Sequence, residues 1–240
     1  MSDLKGQTAL VTGASRGIGA AIASALVDAG AHVVGIGTQI EDAPPVQGIT
    51  AINCDLSDRS QIERLVARLA DTQIDILVNN AGIIRRAPVA DHTTQDWDAV
   101  MAVNLDAPFL LSRDLGARMV ARGHGKIINL GSVLSFEGGI NVPGYAVSKA
   151  ALVNMTRAFA NEWASKGVNV NAVAPGYVAT DNTAALQADP ERTAAILARV
   201  PLGRWLNPQE ISAPVVFLAS QSASAIHGAV LAVDGGWGAR

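Results

Sequence analysis

Short apolar runs alternating with helical stretches narrow the fold of this chain more than any other feature. Thr8–Thr12 opens into a turn at Gly13 and reads as a buried strand, as do His32–Ile36, Thr50–Asn53, Ile76–Val78, Lys126–Leu130, Val168–Val173 and Ala229–Val233. The stretches between them suit helices. These are Ile18 to Ala29, stopped by Gly30; Ser60 to Ala70, with Ser57 or Asp58 to cap it; Thr94 to Ala121, interrupted from Asn104 to Pro108; Tyr145 to Ser165; and Pro208 to Ala219. A strand that rejoins its sheet through a helix must run parallel to its neighbour. The alternation therefore predicts an α/β fold, a doubly wound parallel sheet with helices on both faces. The 240 residues suit one such domain. Only residues 177–204, rich in Ala, Thr and Asn after a strand end, break the rhythm, and they are expected to form a mobile substrate lid.

Composition excludes several functions. With 49% hydrophobic and 16% charged residues the chain can bury a large core, which argues against disorder. A net charge of -3 without a basic run offers neither the Lys/Arg surface that nucleic acid requires nor a patch that attracts membrane. Met1 to Gly6 lacks the layout of a signal peptide, no apolar run reaches membrane-spanning length, and the single Cys54 cannot form an internal disulfide. These features lead us to expect a cytoplasmic protein. His32, His92, His124 and His227 are scattered and suggest no metal site. Trp163 and Trp237 read as packing residues, and Trp205 could either pack or face a ligand.

Two motifs carry chemistry. Thr12-Gly-Ala-Ser-Arg-Gly-Ile-Gly19 joins the first strand to the first helix, where a doubly wound (Rossmann) sheet receives a dinucleotide pyrophosphate on backbone N–H groups and a helix N-terminus. Tyr145 and Lys149, four residues apart on a helix, share one face, and Ser132 would oppose them from a strand end.

The glycine loop, Asp55-Leu56, Asn79-Asn-Ala-Gly82, Asn104, Ser132, Tyr145-x3-Lys149, Pro175-Gly176 and Thr180 follow one another as in the short-chain dehydrogenase/reductase family, which the whole chain resembles. The resemblance implies hydride transfer between a nicotinamide and an alcohol or ketone carbon. Gly13, Ser15, Arg16, Gly17, Ile18 and Gly19 would cradle the pyrophosphate. Asp55 and Leu56 would meet the adenine, Asn80, Ala81 and Gly82 the adenosine ribose, and Pro175, Gly176, Val178 and Thr180 the nicotinamide carboxamide. Turn formation at Asn79-Asn80 and capping at Asp55 are the plain structural alternatives. Tyr145 would exchange a proton with the substrate oxygen. Ser132 would hydrogen-bond that oxygen, Lys149 would hold the ribose hydroxyls, and Asn104 would support a water relay. A phenol working near neutrality must fall by roughly 3 units, about 4 kcal/mol at ~1.36 per unit. An ammonium ~4 Å away at an effective dielectric of ~20 supplies about that much.

Cofactor choice stays open at this level. Thr38 stands where NAD-specific relatives carry an acidic residue, and Arg16 could meet a 2′-phosphate, yet Glu41 and Asp42 follow closely. The reading favours NAD, with NADP possible, from a further resemblance. Segments including Asn79 to Arg86, Asp96 to Met101, Leu134 to Ile140 and the tail from Asp234 to Arg240 look like those of 2-deoxy-D-gluconate 3-dehydrogenases, which act on deoxy sugar acids. A sugar-acid carboxylate could be clamped by Arg85 or Arg86, with Asn182 and Arg204 as further candidates on the lid. Both arginines could instead be solvated or pair with Asp91, Asp96 or Asp98. A 3-oxoacyl-carrier-protein reductase, which would prefer NADPH, and a silent nucleotide-binding member of the fold are the rival readings. The resemblance also implies a homotetramer, with contacts from residues 105–121, residues 145–165 and the C-terminal tail.

Overall fold

The computed structural model describes residues 3–239, so Met1, Ser2 and Arg240 of the terminal segments discussed above lie outside it. The strands β1 (Thr8–Thr12), β2 (His32–Gly37), β3 (Ile49–Asn53), β4 (Ile76–Asn79), β5 (Gly125–Leu130), β6 (Val168–Pro175) and β7 (Val230–Val233) form one sheet in the order β3-β2-β1-β4-β5-β6-β7. Every pairing is parallel. Helices α1 (Gly17–Asp28), α2 (Arg59–Arg68), α3 (Thr94–Met101), α4 (Ala107–Arg122) and α5 (Pro143–Trp163) are followed by α6 (Ala184–Gln187), α7 (Pro190–Leu197) and α8 (Pro208–Ala219).

Local chemistry sets many of the boundaries. The side chains of Asp58 and Thr93 accept from Ser60 N and Asp96 N, capping α2 and α3, and Asn207 with Glu210 forms a capping box on α8. α5 begins two residues before the expected Tyr145 because Pro143 sits in its first turn, where a missing N–H costs nothing. The expected interruption near Asn104 is a widened turn, not a break. Ala102–Asp106 form a π-helical segment that carries α3 into α4. The segment read as an irregular lid contains α6 and α7, the second started by the Asp189 side chain accepting from Arg192 N.

Burial divides the helices between the two faces. Ile22 and Leu26 of α1 and Ile211, Val215 and Leu218 of α8 cover one face with Val11, Val33 and Ile76. Ile62 and Leu65 of α2, Leu111 and Leu115 of α4 and Trp163 of α5 cover the other with Leu10, Leu77 and Ile127. This double cover explains why β4 and β5 show continuous burial instead of alternation.

Leu111 is wholly buried between α4 and the sheet. Leu111→Ala should therefore lose about 2–5 kcal/mol of unfolding free energy in urea. Val46→Ala, at a position 58% exposed, should stay within ~0.5 kcal/mol. Equal losses would contradict this account of the core.

Candidate active site

The strand order reverses beside β1, and a cleft of about 490 Å³ opens there at the C-terminal ends of the strands. One wall is the glycine loop. Gly13 and Gly17 have positive φ (67° and 56°), and a Cβ on Gly19 would lie 2.0 Å from the Gly13 carbonyl oxygen, so the loop closes on itself only without side chains. No side chain caps the N-terminus of α1, which leaves its first-turn N–H groups to a ligand. Thr12 Oγ1 accepts from Asn80 N (2.9 Å) and Ala81 N (3.0 Å), and Asn80 Nδ2 donates to the Thr12 and Gly13 carbonyls (2.9 and 3.3 Å). Asn80 thus braces the loop while lining the cleft. An uncapped helix end behind a glycine-rich cradle fits the pyrophosphate of a dinucleotide.

Across the cleft, Ser132 follows β5 and Tyr145 and Lys149 project from α5. Ser132 caps a short 3₁₀ turn, accepting from Leu134 N, and Ser135 completes the box. Ser135 Oγ accepts from Ser132 N (3.1 Å) and donates to the Lys149 carbonyl (3.0 Å), so one hydroxyl ties the two elements together. Lys149 is 3% exposed and its ammonium donates to Leu130 O (2.6 Å). It lies 5.7 Å from the Tyr145 ring centroid.

This arrangement corrects the sequence-based account of Tyr145. Burial pushes the phenol up and the Lys149 ammonium down to about 8, and the influences that pull the phenol down are a hydrogen bond with Ser132 and the Arg86 charge. Lys149 is not among the groups that pull the phenol down, and its ammonium donates to the Leu130 carbonyl.

Asn104 sits in the π-helical segment, fully buried, one layer behind the cleft wall. Its Oδ1 accepts from Ile83 N (2.9 Å), and its Nδ2 donates to Ile83 O (3.0 Å) and Ser148 Oγ (3.1 Å). A Cβ on Gly82 would lie 3.4 Å from Asn104 Oδ1 and 3.5 Å from Lys149 Nζ, so Gly82 is the thin wall between them.

Thr38, Asp55, Leu56, Pro175, Gly176, Val178, Thr180, Arg85 and Asn182 also line the cleft. Asp55 additionally accepts from Ser57 N and Oγ (2.9 and 2.7 Å), so it serves the local turn as well. Cys54 lines the cleft too, but burial and its acidic neighbours push the thiol up to about 11, far from a nucleophilic thiolate. Three residues picked from sequence are not on the walls. Asn104 stands behind one. Arg86 stands at the rim, with its Nη2 donating to Asn182 O (3.4 Å). Arg204 is turned away, held by Glu210 through two 2.8 Å bonds, because the α8 capping carboxylate offers it a bidentate partner. Arg85 pairs with Asp96 at 3.3 Å, as the plainer reading allowed.

Sequence reasoning missed the supports. Asn79 Nδ2 donates to Ser112 Oγ (3.0 Å) and Asn129 Oδ1 (2.8 Å), and Asn129 donates to Thr156 Oγ1 (2.9 Å), a buried polar chain linking β4, β5, α4 and α5. It also missed Glu137, which accepts from Trp237 Nε1 and pairs with Arg199 of the lid region at 3.5 Å. The Ser132-x-x-Ser135 spacing was a legible cap signal; Glu137 had none. Among the described residues no cluster of three or more potential metal ligands occurs, and no helix is long and apolar enough to cross a membrane.

A glycine-rich cleft facing a Ser-Tyr-Lys group fits a nicotinamide-dependent oxidoreductase of the doubly wound type. The family model described as enoyl-(acyl carrier protein) reductase matches residues 13–238. The chain is 52% identical over 245 residues to 2-dehydro-3-deoxy-D-gluconate 5-dehydrogenase of Pseudoalteromonas atlantica, covering 98% of this chain and 96% of that protein. It is 42% identical to the 3-oxoacyl-[acyl-carrier-protein] reductase of Vibrio cholerae, with 98% of each chain covered. The crystal structure of a gluconate 5-dehydrogenase from Burkholderia cenocepacia in complex with NADP and tartrate is 36% identical, with a TM-score of 0.95 over 99% of this chain and 97% of that one. The chain belongs to the short-chain dehydrogenase/reductase family, NAD(P)-dependent oxidoreductases.

The Lys149 environment has a measurable signature. Below about pH 8 its ammonium is charged in folded and unfolded chains alike, and burial costs in full. Between about 8 and 10.5 the unfolded chain keeps a proton the folded chain has released, so folding gains stability as pH rises. Lys149→Met lacks this term. Its stability relative to the parent should fall by up to a few kcal/mol, at ~1.36 per unit, between pH 8 and 10. A difference independent of pH would contradict the assigned burial.

Proposed function

We propose that this enzyme transfers a hydride between NADP and the secondary alcohol or ketone of a deoxy sugar acid of the 2-deoxy-D-gluconate or keto-deoxyuronate type. The carrying observation is Arg86. Its guanidinium is exposed, has no carboxylate within ion-pair distance among the described residues, and acts on Tyr145 through its charge. A substrate carboxylate held there would set the reacting carbon beside the phenol. The sugar-acid relative at 52% identity supports this substrate class over the acyl-carrier-protein reductase at 42%.

Tyr145 gives its proton to the substrate oxygen during reduction and takes it back during oxidation. Ser132 donates its single proton to the same oxygen. Lys149 holds the cofactor ribose. Asn104, by shaping the Gly82 wall and the Ile83 backbone, supports proton return toward Lys149. The nicotinamide supplies or accepts the hydride.

The sequence reading favoured NAD; geometry supports the phosphorylated cofactor. β2 ends at Gly37, Thr38 follows it on the cleft wall, and Glu41 is drawn toward Arg68 at 3.8 Å. Arg16 lines the cleft and is 76% exposed, with only a 3.5 Å contact to an equally exposed Asp181. Its fork remains free for a 2′-phosphate.

The chain is read as one domain in which residues 177–204 form the lid, hinged on the Tyr177, Trp205 and Trp237 rings and latched by Glu137 to Arg199. A homotetramer is supported by exposed Phe109 on α4, Phe217 on α8 and Leu231 on β7. A cytoplasmic location is supported by the lone buried Cys54.

Tyr145→Phe should cut kcat at least about a thousandfold, roughly 4 kcal/mol, while cofactor binding persists. Turnover within tenfold of the parent would remove the proton-transfer role. Arg86→Ala should raise KM for a keto-deoxyuronate by about tenfold or more, with a smaller effect at Arg85. If neither variant changes KM, or if acetoacetyl thioesters are the better substrates, the sugar-acid reading fails. Arg16→Ala should lower kcat/KM for NADPH by about tenfold or more and leave NADH nearly unchanged; equal losses would refute the 2′-phosphate contact.

A further inference from the structure

At the opposite end of the sheet a second cavity, about 640 Å³, is bordered by Lys5, Asp75, His124, Lys126, Asn169 and His227. Its centre is unusual for a sheet edge. Lys126 is the second residue of β5 and only 9% exposed, yet its ammonium has a single hydrogen-bond partner among the described residues, Asn169 Oδ1 at 2.9 Å. An ammonium has three donors, so two are left without a protein acceptor among the described residues, on a side chain that lines the cavity. No carboxylate among the described residues lies within ion-pair distance of it.

The only acidic side chain on the wall is already engaged. Asp75 accepts from Thr8 N (2.9 Å) and Gln73 Nε2 (2.8 Å), and Arg122 and His124 approach it at 3.8 and 3.9 Å. Asn169 is fixed as well. Its Nδ2 donates to the Ser224 and Ile226 carbonyls at 2.9 Å each and meets His227 Nε2 at 3.1 Å, so its Oδ1 stays turned to Lys126. The wall thus presents two ammoniums and two imidazoles against one carboxylate that other groups share. A buried cation without a counter-charge is costly, and burial does lower the Lys126 pKa. A bound anion would offset that cost and take up the two free donors.

We propose that this cavity is a binding site for a small phosphate-type dianion, either free phosphate or the phosphoryl group of a metabolite. The site is independent of the cleft, since β5 separates Lys126 at its start from Ser132 beyond its end. It does not rest on the substrate reading above.

The test uses the full chain saturated with NADP, so that phosphate positions in the cleft are filled. Inorganic phosphate and glycerol phosphate are titrated at constant ionic strength, with thermal unfolding and ³¹P line broadening as readouts. The expected result is a saturable rise in Tm at millimolar ligand or below, with at least about a tenfold loss of affinity in Lys126→Met and a lesser loss in His227→Gln. Arg16→Ala, which alters only the cleft, should bind phosphate as the parent does. The stronger of the two ligands identifies the source. An unsaturable response in the parent, or unchanged affinity in Lys126→Met, would overturn the proposal. Should Lys126→Met fold poorly, unchanged affinity in both His227→Gln and Lys5→Gln would overturn it equally.

Discussion

The ammonium of Lys149 is buried against the carbonyl of Leu130, and much of the cleft follows from accommodating that one charge. The bond joins α5 to the end of β5 and fixes the height at which Tyr145, one turn earlier, meets Ser132. Neighbouring groups are shaped around it. Ser135 secures the Lys149 backbone, Gly82 leaves the ammonium room, and the π-helical turn brings Asn104 behind Gly82. A widened helical turn costs hydrogen-bond quality, and its retention beside the cleft fits the placement of Asn104 as its purpose.

The same burial gives the site its chemical character. Desolvation favours the neutral forms of both Tyr145 and Lys149, so neither is activated by proximity alone. The polarising influences come from Ser132 and from Arg86, and in the proposed complex from the cofactor and substrate themselves. An enzyme arranged this way would develop its base only when the cleft is filled.

Much of the fold was legible because its signals are local. The alternation of apolar runs with helical stretches gave the parallel sheet, and glycine spacing located the cradle that Gly19 and Gly13 require sterically. Helix starts differ from expectation by at most two residues, with the Asp58 side chain setting the start of α2 and Pro143 lying in the first turn of α5. What escaped the sequence depends on contacts between distant segments. Nothing near Glu137 announces Trp237 or Arg199, nothing near Asn79 announces Asn129, and Arg204 looked available until Glu210 folded back to cap α8. Arg85 and Arg86, adjacent in sequence and equivalent by composition, are separated only by geometry: one meets Asp96, the other faces the lid.

The central claim is that Tyr145 is a half-buried phenol whose ionisation is set by what occupies the cleft. The chain has only 2 tyrosines. Protein labelled with ¹³C at the tyrosine ζ position therefore gives two resonances, and Tyr177→Phe assigns them. The account predicts a Tyr145 resonance that titrates above the ordinary phenol value of about 10 in the free protein and moves well below it when oxidised cofactor is saturating. A resonance that titrates near 10 and ignores the cofactor would contradict it.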